Sequence, residues 1–211
     1  MENPVIIFGA NPIGRTAKEI FELSEVVVYG FLDDAAKLHK VEIDDATVLG
    51  ATDDDGFLKL IGKKCEAFVA IDDNRLRKSI VKVLNEIRHV QPVNALHPKA
   101  HISERASIGH GNFVDFGALL APGSKMGAHC LIHANAVVGA EATIGDFVQV
   151  GAGSVVNANV VIEDEVFIGS GVIIVSGVTI GKGARVGAGA VVIAPVKAGD
   201  TVFGNPAQVV K

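Results

Sequence analysis

The chain has 211 residues, 24 acidic and 19 basic, with a formal net charge of −5, 49% hydrophobic residues, two cysteines and no tryptophan. A mildly acidic chain has no basic field to gather phosphate backbones, which argues against nucleic acid as its main partner. Cys65 and Cys130 are too few for a disulfide scaffold and point to a reducing, cytoplasmic setting. Met1-Glu2-Asn3-Pro4 lacks the basic region and apolar core of a signal peptide, and no apolar run approaches the ~20 residues of a membrane-spanning helix.

Composition shifts along the chain. Residues 1–93 hold 16 of the 24 acidic and 12 of the 19 basic residues, whereas residues 94–211 hold 18 of the 24 glycines. Two domains are therefore expected, 1–93 and 94–211. Val5-Ile6-Ile7-Phe8 reads as a buried parallel strand stopping at Gly9. Gly9-Ala10-Asn11-Pro12-Ile13-Gly14 then leads into a helical pattern through Leu23. A second strand is expected over Val26–Leu32, with Asp33-Asp34 at its carboxyl end, and a third over Cys65–Ile71. Asp72-Asp73-Asn74 supplies capping side chains for a helix over Arg75–Ile87. A strand–glycine loop–helix unit offers an anion site, because first-turn N–H groups and the helix dipole point at the loop. An acidic pair ending the second strand is where a ribose or base edge is commonly gripped. The class is α/β and Rossmann-like. Tight strand–helix packing by Gly9 and Gly14 explains the same residues without a ligand.

The second domain is a repeat. Residues 94–201 divide into eighteen hexads without an insertion, and seventeen of the eighteen third positions, Leu96 through Val192, are large aliphatics, with Ala198 the exception. The first position is small or β-branched except at Asn94 and Asn112, and glycine recurs at the fourth, where a chain turning a corner needs permissive dihedrals. A period of six fits the flat side of a triangular prism, three hexads to a coil. The expected fold is a parallel β-helix of about six coils, roughly 29 Å tall at strand spacing.

The hexads and the closing Gly204-Asn205-Pro206-Ala207 resemble the left-handed β-helix acyltransferases. Together with Ile6–Arg15, Phe31–Asp34, Phe68–Ile71, Asn74, Arg77, Val93–Ser103 with His97-Pro98, and Ala136–Phe147, they resemble more narrowly the PglD/NeuD-like sugar O- and N-acetyltransferases. The resemblance implies a homotrimer, a nucleotide-linked amino sugar held by the first domain, and acetyl-CoA in the groove between neighbouring β-helices. Carried over, it assigns the sugar nucleotide to Gly9, Ala10, Asn11, Gly14, Asp33, Asp34, Ile71 and Asp72, and acetyl-CoA to Gln149, Gly169, Gly187, Asn205 and Pro206, with no metal.

The chain departs from the family's pattern at functional positions. Ala140 stands where a histidine base is usual, Gly139 where an acid precedes it and Gln149 where a second histidine lies, while Glu141 is retained. Pro12 and Ile13 replace a Gly and a His of the glycine loop, and Asp72 replaces a Gly. Residues eighteen apart stack on adjacent coils, so Asp115 is expected beneath His133. A carboxylate beside an imidazole is a base–orienter pairing. His133, oriented by Asp115 and helped by Glu141, is the candidate replacement base; a surface imidazole touching a surface carboxylate is the plainer reading. Among His97, His101, His110, His129 and His133, the nineteen-residue spacing of His110 and His129 makes them candidate neighbours, as in zinc-binding β-helices. Cys130 reads as core, and Lys182, Arg185 and Lys197 as cations able to meet CoA phosphates. Three functions follow: a CoA-dependent sugar acetyltransferase, a non-catalytic binding or regulatory trimer, and, weakest, a nicotinamide oxidoreductase.

Overall fold

The structure, a computed structural model, describes residues 3–210, so the leaderless start expected at Met1-Glu2 lies outside it. Two compact units result, one ending at Leu96 and the other beginning at His97.

In the first unit the all-buried run Val5–Phe8 forms β1, and Pro12–Leu23 forms α1. They are followed by β2 (Val28–Leu32), β3 (Glu42–Ile43), β4 (Ala46–Gly50), the short α2 (Asp55–Leu58), β5 (Glu66–Val69) and α3 (Asn74–Ile87). The strands lie in the order β3-β4-β2-β1-β5, parallel throughout except for the β3–β4 hairpin. Chain order runs outward from β1 through β2 to β4 on one side and jumps to β5 on the other. Such a switch point opens a crevice at the carboxyl ends of the strands. The helices begin as the capping residues dictate: Asn11 Oδ1 accepts from Gly14 N (3.1 Å) and Asp73 Oδ1 from Leu76 N (2.9 Å). β2 starts two residues later than expected, β5 is shorter than expected at both ends, and α3 starts one residue earlier, at Asn74.

The second unit is a left-handed β-helix. Two-residue strands fall on the second and third positions of each hexad from His101–Ile102 to Val191–Val192. They pair in parallel with the strand eighteen residues on, as in Leu119↔Val137↔Val155↔Ile173↔Val191. Side chains of the third position point inward: Leu120, Ile132, Val150, Val156, Ile168 and Ile174 are fully buried. Each such aliphatic contributes about 1.5–3 kcal/mol of transfer free energy. Cys130, at a first position, is core as expected.

Two expectations fail. The left-handed backbone conformation sits at the sixth position of the hexad rather than the fourth, and Asn135, Glu141 and Phe147 take it up at φ 57, 58 and 57° alongside glycines. The fourth-position glycines have ordinary φ and answer a different need. A Cβ on Gly151 would stand 2.5 Å from the backbone of Gly169 and Ser170 on the next coil. The final coil is also short by two residues. Ile180 bridges Val196 and Arg185 pairs with Thr201, sixteen residues on in each case. Val196 therefore takes the inward place expected of Ala198, which is exposed. The shortening falls at Ala194-Pro195, where proline has no N–H to continue a ladder.

Past the last coil the chain turns back over it. Thr201–Phe203 pairs antiparallel with Gln208–Val209, Val191 N donates to Gly204 O (3.0 Å), and Ala207 N donates to Val191 O (2.8 Å).

Candidate functional site

In the first unit, a cavity of about 140 Å³ is lined by Gly9, Asn11, Asp33, Asp34, Thr52, Ile71 and Leu76. It therefore collects the carboxyl ends of β1, β2, β4 and β5, at the switch point. Five of the eight residues expected to hold the sugar nucleotide line it. The other three stand close by: Ala10 is buried, Gly14 lies in α1, and Asp72 is exposed on the loop after β5.

The loop's polar groups are largely committed to one another. Ala10 N donates to Asp33 Oδ2 (2.9 Å), Ala35 N to Asp33 Oδ1 (2.9 Å), and Asn11 Nδ2 to Ala70 O (2.7 Å). Pro12 supplies no donor, and Gly14 N is taken by Asn11. The glycines are fixed by packing: a methyl on Gly14 would overlap Gly9 O, and one on Gly9 would stand 2.8 Å from Ala70 O. What this loop offers a ligand is mainly Asp34, which Thr52 orients through its N–H and hydroxyl, both 2.8 Å from Asp34 Oδ1. Arg77 is buried and braces the opposite wall by donating Nη1–H to Ile71 O (2.6 Å) and Asp72 O (3.2 Å). Sequence reasoning missed Thr52. The signal was the apolar run Thr47-Val48-Leu49 ending in Gly50-Ala51-Thr52-Asp53, the same strand-then-polar pattern that marked Asp33.

In the second unit the three sides of the prism differ. One side carries strands at Phe113, Leu131, Gln149, Phe167 and Arg185; the next carries Leu119, Val137, Val155, Ile173 and Val191; the third carries Ser107, Lys125, Thr143, Val161 and Thr179. His133 stands at the corner that ends the first side. Asp115 lies one coil below it, as expected, since Asp115 N donates to Ile132 O (2.9 Å). Asp115 Oδ1 accepts from Phe116 N (2.7 Å), while His133 Nε2 lies 3.2 Å from Gln149 Nε2 and its ring meets Phe113 edge-on at 5.9 Å. The structure thus joins His133 to Gln149, a pairing not foreseen from the register alone.

Glu141 stands at the corner ending the second side, its carboxylate folded over Gly123 of the coil below. Ala140 beside it is exposed. Gly169 lacks a side chain because Ala188 N of the next coil lies 2.6 Å from where a Cβ would be, and Gly187 faces the Phe203 ring. Asn205 and Pro206 are exposed in the returning tail. Arg185 caps the Phe167 ring at 4.4 Å, and Lys182 pairs with Asp164 at 3.5 Å. His110 and His129 are neighbours, rings 4.9 Å apart, but His129 is buried and stacks on Phe147 at 4.8 Å. Among the described residues no group of three or more His, Cys, Asp or Glu is placed to hold a metal ion, and no helix is long and apolar enough to cross a membrane.

The α/β sheet and hexapeptide column define a class, the hexapeptide-repeat transferases that carry an additional amino-terminal domain. Residues 4–84 match the PglD N-terminal domain, and residues 123–158 and 159–194 match the bacterial transferase hexapeptide (six repeats). The chain belongs to the PglD-like sugar acetyltransferases of the hexapeptide transferase superfamily. It is similar to PerB of Caulobacter crescentus in complex with CoA and GDP-perosamine, at 28% identity, TM-score 0.89, covering 100% of this chain and 99% of that one. A histidine-to-asparagine mutant of the perosamine N-acetyltransferase from that organism, also in complex with CoA and GDP-perosamine, matches at 27% identity, TM-score 0.89, with 100% and 98% covered. The acetyltransferase domain of PglB from Neisseria gonorrhoeae in complex with acetyl coenzyme A matches at 25% identity, TM-score 0.89, over 100% of both chains. Comparison with curated protein sequences returns no match.

Proposed function

We propose that the protein transfers the acetyl group of acetyl-CoA to a nucleotide-linked amino sugar in surface-glycan synthesis, in the cytoplasm and as a homotrimer. The observation that carries this is the joining, in one chain, of a switch-point cavity containing Asp34 to an uninterrupted column bearing His133 and Gln149. Full-length likeness to an enzyme recorded with CoA and GDP-perosamine supports it. Acetyl-CoA fits the corner above His133. There the exposed Ala152-Gly153, Ser170-Gly171 and Ala188-Gly189 stack on successive coils, and a Cβ on Gly153, Gly171 or Gly189 would meet nothing within 4 Å. An extended pantetheine arm needs such a bare shelf, and Arg185, on the strand that leads to its upper end, is a cation for the phosphates.

In this reading Asp34 accepts hydrogen bonds from the nucleoside, and His133 acts as general base in place of the histidine absent at Ala140. Positioning of the two substrates supplies much of the rate. A second reading, a trimer that binds both ligands without turnover, is favoured by Ala140 itself and by the ligand-bound histidine mutant of the perosamine enzyme. Calorimetry with acetyl-CoA and with GDP- and UDP-4-amino sugars, followed by a thiol-release assay, separates them. Binding with thiol release supports transfer; binding without release supports the second reading; no binding of acetyl-CoA overturns both.

A further inference from the structure

We infer that the first unit reads its ligand as a guanine nucleoside: the base enters a second cavity beside the switch-point one, with Asp53 on its edge, and the phosphates are left without a protein partner. The premise that the ligand is nucleotide-linked rests on the proposed function; the preference for guanine and the neglect of phosphate rest on the cavity itself. This second cavity, of about 160 Å³, lies between α3 and the ends of β1 and β4, with Phe8, Leu58, Ile80, Val83 and Leu84 as apolar walls. Thr52 and Leu76 line both it and the switch-point cavity, so the two adjoin. Together they reach the roughly 300 Å³ at which small-molecule sites begin.

The walls suit a flat ring. Phe8 and Leu84 are fully buried, whereas Leu76, shared by the two cavities, is 40% exposed and offers apolar surface for a heteroaromatic ring to cover. A nucleoside joins its base to its ribose by a single bond, the spacing that adjoining cavities require. In the switch-point cavity Thr52 holds Asp34 Oδ1, which leaves Oδ2 to accept from a ribose hydroxyl. In the second, the polar side chains besides Thr52 are Asp53 and Ser79, both exposed, and neither hydrogen-bonds another described residue. A carboxylate only accepts. Guanine presents N1–H and its N2 amino group side by side and meets a carboxylate with two charge-assisted bonds. Adenine and cytosine offer one amino group beside an acceptor nitrogen, and uracil sets its one N–H between two carbonyls that a carboxylate repels.

The phosphates find no such complement. Neither lining contains Lys, Arg or His. Ala10 N is already taken by Asp33 and Gly14 N by Asn11, so Asp33 sets a carboxylate where a strand–loop–helix turn would seat an anion. Asp34 and Asp53 add their charges from the cavity walls, and at ordinary salt like charges repel over about 10 Å.

Calorimetry on the full-length chain with guanosine, GDP, adenosine, cytidine and uridine tests this. Guanosine should bind at least as tightly as GDP, with any deficit of GDP shrinking as salt screens the carboxylates. It should bind about tenfold tighter than uridine, with adenosine and cytidine between them. Asp53→Asn, at an exposed position, should weaken guanosine about tenfold and remove its advantage over uridine, since an amide accepts through one oxygen only. Val83→Trp, which fills the cavity, should abolish guanosine binding in protein that a urea transition shows to be folded. GDP binding about tenfold or more tighter than guanosine and weakening with salt overturns the inference, because the phosphates would then be gripped. Equal binding of guanosine and uridine, or unchanged selectivity in Asp53→Asn, overturns it too. Acetyl-CoA binding with no nucleoside bound overturns this inference and leaves the transfer reading in place; nucleosides bound in the expected order without acetyl-CoA binding uphold it and refute the transfer.

Discussion

Glycine occurs at two positions of the hexad for two physical reasons, and a pair of substitutions separates them. At Gly151 the backbone φ is ordinary, but Gly169 C and Ser170 N lie 2.5 Å from where a Cβ would stand. Carbon contacts settle near 3.5–4.0 Å, so one coil must move about 1 Å against its neighbour. Overpacking on that scale costs about 3 kcal/mol. At Gly171 the space is open but φ is +67°. Gly171→Ala therefore costs about 1 kcal/mol, the left-handed penalty alone, and Gly171→Asn less than about 0.5, since asparagine visits that region. The chain itself places Asn135 and Asn159 there, at φ 57 and 59°. Urea denaturation at one fixed protein concentration should give midpoints falling in the order Gly171→Asn, Gly171→Ala, Gly151→Ala with an unchanged slope. A Gly171→Ala variant as unstable as Gly151→Ala would refute the claim that coil spacing governs the fourth position.

Three further outcomes are expected. Arg77→Met leaves the carbonyls of Ile71 and Asp72 without their buried donor and should lower stability by about 2–3 kcal/mol in the same denaturation assay. Thr52→Val removes one of two hydrogen bonds to Asp34 Oδ1 and should weaken nucleotide-sugar binding by calorimetry about fivefold, at nearly unchanged midpoint. Burial pushes the Cys65 thiol above its ordinary pKa, with the Glu66 charge adding to this and Lys64 opposing it. Its folded form holds the proton more tightly than the unfolded form does. Stability is then fully present below the unfolded thiol's pKa and declines as pH rises beyond it, and Ellman's reagent should reach Cys65 only on unfolding.

The column was legible because each position of the hexad repeats its physical role many times over. What blurred was the reason behind a recurring residue: glycine at the fourth and sixth positions looks alike in sequence, while only at the sixth do Asn, Glu and Phe share its left-handed backbone. Register alone placed Asp115 beneath His133, but which partner a ring nitrogen meets depends on side-chain direction, and that joined His133 to Gln149. In the first domain β1, β2, β5 and α3 announced themselves by apolar runs and caps. The β3–β4 hairpin did not, because Glu42–Ile43 is short and its turn is made by Asp44 and Asp45 at φ 48 and 64° rather than by glycine. With β4 unseen, Thr52 at its end was unseen too. The loop at Gly9 was read as an anion cradle, yet Asp33 and Asn11 occupy several of its donors, a competition visible only once β1 and β2 are neighbours.

The segment that folds back from Gly204 has a consequence beyond its suitability for a cofactor. A stack of parallel rungs is by nature unfinished: its topmost rung would template the next strand that came along, from any molecule. By handing Gly204 O and Ala207 N to Val191 and laying Gln208–Val209 beside Thr201–Phe203, the chain uses its own last residues as a stopper. The length of the particle is thereby written into the sequence, and cutting away residues 204–210 would convert a bounded object into the growing end of a fibre.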